Sequence, residues 1–413
     1  MTRHTKFVKD PGAVLAALLA AGPSVDAVTK VSGLSGRPRL RRVLMSDRRP
    51  LQLVYAQEDA VILAEHHGAD CEAEAERLRA SLGKSRRGLG GALDSGSVLA
   101  DPASGLVLRR PGLDARLPGL RLLHDPAEAR ALIATIEGND PGPVTVTLMA
   151  HRLGKRAVLR CEGADGRVRY ARLRTDKSGS GTRAFSRHQH LWSVVKQDKA
   201  LRIPEPLGQM PEMGIALFAE LPGTAPSFEG CDGFRACHAV GRALNRLQDL
   251  QLTEIPEHGG MAEAALLRVW LLRLAQVFPS RAEAMAKALD VVCTALETTS
   301  TQAVPCHRDL HEKQILLDGP RAGLLDFDTL CLGHPAMDAG NLMAHLFLME
   351  VTAGRPRAAF ETAISNAMRH VPERDLRLWR RAALLRLCMI YAFTDMPMPQ
   401  QGALQAEALI AHD

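Results

Sequence analysis

The chain has no CxxC pair among its eight cysteines, no repeat period and no long low-complexity tract. The first absence removes a zinc ribbon or finger, and thiols scattered in this way suit a reducing, cytoplasmic compartment better than a disulfide framework. The other two remove solenoids and compositional linkers. No apolar run reaches the roughly 18 residues of a membrane span, and even the segment 266–278 is broken by Arg268 and Arg273, so no membrane partner is expected. The one stretch that imitates a secretory apolar core, 13–21, opens on Asp10-Pro11 and stops at Gly22. Those are the cap signals of a short soluble helix. Aromatics amount to 4% of the chain, and none interleaves the arginines at 37, 39, 41, 42, 48 and 49. That basic run lacks a stacking platform for nucleic acid and reads as a solvated face.

What is present is globular: 413 residues, 46% apolar and 24% charged, enough for two or three domains with a sizeable core. Lys and Arg number 52 against 46 Asp and Glu, a net charge of +6 that favours anionic ligands such as phosphates without naming one.

Changes of hydrophobic period divide the chain into three regions, 1–140, 141–221 and 222–413. The first mixes a hairpin (51–55 with 61–66), a helix over 71–82, a second hairpin around Asp101-Pro102 and a helix opening at Asp125-Pro126. After the breaker run 138–143, three strand patterns at 144–148, 156–161 and 168–173 predict an antiparallel meander, with turn residues at 163–166. A helix over 183–195 and a strand over 214–220 complete this sheet region. Beyond Leu221-Pro222-Gly223 apolar residues recur at helical spacing in 233–250, 262–278, 281–297, 338–352, 356–370 and 373–394. The fold class expected is α+β, an antiparallel sheet followed by a mainly helical region.

One stretch interrupts the helices: Cys306-His307-Arg308-Asp309-Leu310-His311-Glu312-Lys313-Gln314, a hairpin around Asp318-Gly319, then Leu325-Asp326-Phe327-Asp328. Phosphoryl transfer needs an acid to orient the attacking hydroxyl and take its proton, and oxygen ligands to hold magnesium on the phosphates. A loop Asp, an amide five residues on and an Asp across a hairpin supply those parts.

These residues resemble the aminoglycoside phosphotransferase and choline kinase-like small-molecule kinases, relatives of the protein kinases. His307 to Gln314 is similar to that family's catalytic loop H-G-D-L-H-x-x-N, Leu325 to Asp328 to its metal-binding strand end, and Gly333-His334-Pro335-Ala336-Met337-Asp338 to its G-x-P-x-x-D. The resemblance covers about residues 144–395 and implies a two-lobe protein-kinase-like fold with ATP in the cleft. It also implies magnesium and a small-molecule hydroxyl acceptor such as a sugar, amino sugar or amino alcohol. Asp309 is then the catalytic carboxylate, with His307 bracing its loop, and Asp326 and Gln314 are the metal ligands. Arg172 occupies the place of the strand lysine that meets ATP phosphates, and the basic turn Arg152-Leu153-Gly154-Lys155-Arg156 is a candidate cover for them. The backbone of Glu220-Leu221 would hold adenine in the inter-lobe linker. Helix residues 241–248 resemble G-x-x-L-x-x-L-H, with Gln248 in place of His.

Three departures stand out. Arg replaces Lys at 172, Gln replaces Asn at 314, and the helix 183–195 carries no acid to pair with Arg172. Arginine keeps the charge but not the compact ammonium; glutamine keeps the amide oxygen with one more methylene. They leave open a second reading, a pseudokinase that binds nucleotide or a protein partner without catalysis. Asp328 and Glu312 are the acids placed to attract a cationic acceptor.

Overall fold

The computed structural model describes residues 11–46, 49–84, 96–175, 179–252, 254–368 and 370–410; the Asp10 cap and Arg48 lie outside them. Contacts group the chain into two compact units. The first holds residues 1–185, 206–220 and 393–395, the second 186–205, 221–392 and 396–413. Among the described residues no single helix is long and apolar enough to cross a membrane. All eight cysteines are free, seven of them buried and Cys231 exposed.

The first unit contains helices α1 (Pro11–Ala21) and α2 (Val25–Ser32), strands β1 (Arg39–Leu44), β2 (Gln52–Gln57) and β3 (Ala60–His66), and helix α3 (Cys71–Lys84). Strands β4 (Val98–Asp101) and β5 (Leu106–Arg109) follow, then helix α4 (Pro126–Glu137) and strands β6 (Val144–Arg152), β7 (Arg156–Gly163) and β8 (Val168–Arg174). Helix α5 (Ser180–Val195) and the short strand β9 (Leu201–Arg202) lead out of the unit, and β10 (Pro206–Met210) and β11 (Ile215–Ala219) return to it. These strands make two five-stranded sheets, β1-β2-β3-β5-β4 and β10-β11-β8-β7-β6. Helix α4 starts where the sequence says it should. Asp125 accepts the Glu128 N–H at 3.1 Å, Pro126 takes the first turn, and Gly138 closes the helix at φ 73°. Its Leu132 and Ile133, with Leu117, Leu120 and Leu122 before it, cover Leu159, Leu173 and Leu217 of the second sheet in one core.

Part of the basic run read as a solvated face, Arg39 to Arg42, lies on an edge strand. Arg39, Arg41 and Arg42 are exposed on β1, but Leu40 and Val43 are buried beneath it. A register shift between Leu40 and Arg42 puts two arginines in succession on the outside, and that irregularity hides the period of two by which a strand is recognised.

The second unit adds helix α6 (Gly230–Gln248), strand β12 (Glu257–His258), helices α7 (Gly260–Val277) and α8 (Pro279–Thr298), and strands β13 (Val304–Cys306), β14 (Ile315–Asp318), β15 (Arg321–Leu324) and β16 (Cys331–Gly333). Helices α9 (Met337–Ala353), α10 (Ala358–Ala367), α11 (Glu373–Tyr391) and α12 (Met398–Leu409) complete it. Two three-stranded sheets, β12-β16-β13 and β14-β15-β9, frame the polar loop between β13 and β14. Gly340 lets α9 lie against α11, since a Cβ there would meet the Arg380 nitrogen at 2.7 Å and the Trp379 carbonyl carbon at 2.8 Å.

Candidate active site

The loop after β13 is tied down from beneath. Asp338, in the first turn of α9 and fully buried, accepts the His307 N–H at 2.7 Å and the Arg308 N–H at 2.6 Å, one on each oxygen. Burial pushes its carboxyl above the ordinary range, against the pull of those two bonds. Arg308 adopts φ 74°, a left-handed conformation uncommon outside glycine. That twist turns the chain, so Asp309 is exposed between the buried His307 and Leu310. His307 is wholly buried; its Nε2 donates to the Leu325 carbonyl at 2.6 Å, and its ring meets Phe327 edge-on at 4.8 Å. A carbonyl only accepts, so Nε2 carries the proton and the ring serves as a brace.

Across the hairpin, Leu325 donates its N–H to the Gln314 carbonyl at 2.9 Å, which brings the two candidate metal ligands to neighbouring rungs. Gln314 is 8% exposed, and its Oε1 is buried with no hydrogen-bond partner among the described residues. An unpaired buried acceptor is costly unless something is meant to meet it. Asp326, half-buried, has φ 63°. Two hard oxygen donors on adjoining segments fit magnesium.

A second layer was not visible in the sequence. The Leu310 carbonyl accepts from Asn341 Nδ2 at 2.7 Å, Asn341 Oδ1 accepts from Arg386, and Arg386 pairs with Glu263, which holds His258 Nε2 at 2.8 Å. Burial of Glu263 opposes ionisation, but the Arg386 guanidinium and the His258 bond outweigh it and bring the carboxyl down to about 2. The chain runs from α7 through α11 and α9 to the loop. Only Asp338 of these groups had a sequence signal, as the last letter of G-x-P-x-x-D. Gln248 is also structural: it donates to the Pro335 carbonyl at 2.8 Å and accepts from His370 at 2.9 Å.

In the first unit, Arg172 projects from β8 with its guanidinium 5.5 Å from the centre of the Phe218 ring, a cation–π arrangement. Glu220 donates its backbone N–H to the Val168 carbonyl at 3.1 Å. Gly154 occupies the β6–β7 turn at φ 58°, and its N–H is already given to the buried carboxylate of Asp114. Lys155 follows it; partial desolvation and the neighbouring Arg152, Arg156, Arg174 and Arg49 lower its pKa to about 8. Leu221, in the second unit, is buried beside Gly323, where a Cβ would meet it at 2.6 Å.

A family model described as the phosphotransferase enzyme family matches residues 172–384, just over half of the chain. The chain belongs to that family. The match takes in the loop, both candidate metal ligands and the Asp338 brace of this phosphotransferase, and leaves residues 1–171 outside. No curated protein matches its sequence. Solved structures similar to it include the GDP and kanamycin complex of APH(2")-IIia, at 15% identity and TM-score 0.49, covering 63% of this chain and 88% of that one. Another is the apoenzyme of macrolide 2'-phosphotransferase MphH from Brachybacterium faecium, at 17% identity and TM-score 0.45, covering 70% and 99%. A third is the apo form of a thermostable mutant of APH(4)-Ia, at 16% and 0.49, covering 68% and 96%.

Proposed function

We propose that this phosphotransferase is a kinase that uses ATP and magnesium to phosphorylate a hydroxyl of a small molecule such as a sugar, amino sugar or amino alcohol. The observation that carries the reading is the loop held by Asp338 on two N–H groups, with Asp309 left exposed at its tip. Asp309 accepts the hydroxyl proton as the acceptor oxygen bonds to the γ-phosphorus and the bond to the leaving diphosphate oxygen breaks. His307 and Asn341 fix the loop backbone on either side of it. Asp326 and Gln314 would hold magnesium, whose charge neutralises the phosphate oxygens. Within the first unit, Arg172 and Lys155 are cations suited to phosphate oxygens. Asp328 and Glu312, beside the loop, would favour a cationic acceptor; Glu312 also lies 3.7 Å from His345 Nδ1 and 4.0 Å from Lys313 Nζ.

Calorimetry with magnesium and ATP, followed by ATP turnover against pooled hydroxyl metabolites, tests the reading. Asp309→Asn should leave ATP affinity within about twofold and lower turnover by about 10²–10⁴-fold, because the base matters mainly in the transition state. Equal turnover in the variant would end the assignment.

A further inference from the structure

The β6–β7 turn spends most of its backbone polar groups within the first unit, several of them on residues that precede the family match. Gly154 donates to Asp114, and its carbonyl accepts from Arg49 Nη1 at 2.9 Å and Thr175 Oγ1 at 3.2 Å. The Leu153 carbonyl accepts from Gln52 Nε2 at 3.3 Å. Lys155 closes the turn on the Arg152 carbonyl at 3.0 Å and accepts from Thr175 N–H at 3.3 Å. Asp114 has a side chain 1% exposed and also accepts from Arg116 N at 2.9 Å and Arg116 Nε at 3.3 Å. His151 Nδ1 accepts the Gly112 N–H at 3.1 Å, so its Nε2 carries the proton and points at Asp114 Oδ2, 3.4 Å away. Arg116 in turn donates to Glu65 at 2.7 Å, and Glu65 pairs with the buried Arg109. The Arg116 guanidinium covers the turn so closely that a Cβ on Gly154 would meet its Cζ at 2.5 Å.

A solvated hairpin tip needs none of this. Burying the carboxylates of Asp114 and Glu65 and the guanidinium of Arg109 costs desolvation that their pairing only offsets, and here the result is a turn tied to Arg49, Gln52, Asp114 and, through Asp114, Arg116. The Gly154 N–H is also unavailable to a phosphate; Lys155 is what the turn has left to offer. We propose that Asp114 is a positioning residue for nucleotide: by fixing the β6–β7 turn it holds Lys155 toward the phosphates, which makes the N-terminal region a part of the nucleotide site. This rests on the kinase reading above.

The full chain with Asp114→Ala and with Asp114→Asn tests it, by magnesium–ATP affinity across pH and by hydrogen exchange at the Gly154 amide without nucleotide. In the native chain affinity should fall as pH rises through about 8, where Lys155, crowded by Arg49, Arg152, Arg156 and Arg174, loses its proton. Asp114→Ala should speed Gly154 exchange by at least 100-fold, weaken binding at pH 7 at least tenfold, and move the alkaline limb upward as Lys155 leaves the arginines. Asp114→Asn keeps the volume and one acceptor oxygen and should fall between; if the alanine variant does not fold, it carries the test. Faster exchange with unchanged affinity overturns the proposal, and so does a loss of affinity and of melting temperature together without movement of the limb. A native chain that binds no nucleotide overturns the kinase reading and this one with it, whereas equal binding by native and variant chains overturns this one alone.

Discussion

At the scale of single residues the two candidate metal ligands are unequal. Asp326 brings a charge and Gln314 only a dipole, so Asp326→Ala should raise the magnesium needed for ATP binding far more than Gln314→Ala does. Gln314→Asn should be tolerated or improve turnover, because the family pattern has Asn there. Titration of ATP affinity against magnesium in the three variants checks this, and superimposable curves would mean that neither side chain touches metal. These residues were readable in the sequence because each lies in a short local motif: five positions separate Asp309 from Gln314, and one hairpin separates Gln314 from Asp326. The groups that fix them were not. Asp114 and Gly154 are 40 residues apart, and Glu263 and Arg386 are 123 apart; pairing at such distances follows from the fold and leaves no local period.

At the scale of elements the same division holds. Helices with a clear apolar stripe, such as α4 with Asp125 and Gly138 at its ends, could be placed from sequence to within a few residues. β1 could not, because its register shift breaks the alternation, and α12 starts after Pro397 with no side-chain cap to mark its first turn. The connection of α7, α11 and α9 through Glu263, Arg386 and Asn341 carries its own prediction. The folded pKa of Glu263 is depressed to about 2, so its contribution to stability is complete above the ordinary glutamate range and is lost as pH falls through that range toward 2. Arg386→Met should remove the ion pair and leave the buried Glu263 carboxylate with only the His258 contact, costing about 3–5 kcal/mol at pH 7 and progressively less as pH falls toward and below 2, where Glu263 becomes protonated in the native protein as well. Urea denaturation of the two proteins at pH 7 and at the lowest pH where both stay folded measures the difference. The variant should also lose turnover more than ATP affinity, since the Leu310 carbonyl lies at the far end of the chain.

At the scale of the whole molecule, the first unit joins residues outside the family match to strands inside it. Leu117, Leu120, Leu122, Leu132 and Ile133 supply much of the core that covers the sheet containing Arg172. A chain begun at residue 141 would therefore expose Leu159, Leu173 and Leu217, each worth about 1.5–3 kcal/mol when buried. It should be recovered only as aggregate, while the full chain stays soluble; expression of both followed by centrifugation decides it. Thiol burial gives the same molecule an internal reporter. Cys231 is exposed, and burial pushes Cys161 and Cys388 up to about 11 and Cys237 and Cys331 up to about 12, so those four stay protonated and unreactive while folded. A maleimide should add once to the native chain and then, as denaturant rises, at Cys71 and Cys161 when the first unit opens and at Cys237, Cys293, Cys306, Cys331 and Cys388 when the second does. Added mass alone would then say which half of the protein melts first, without a probe having to be introduced.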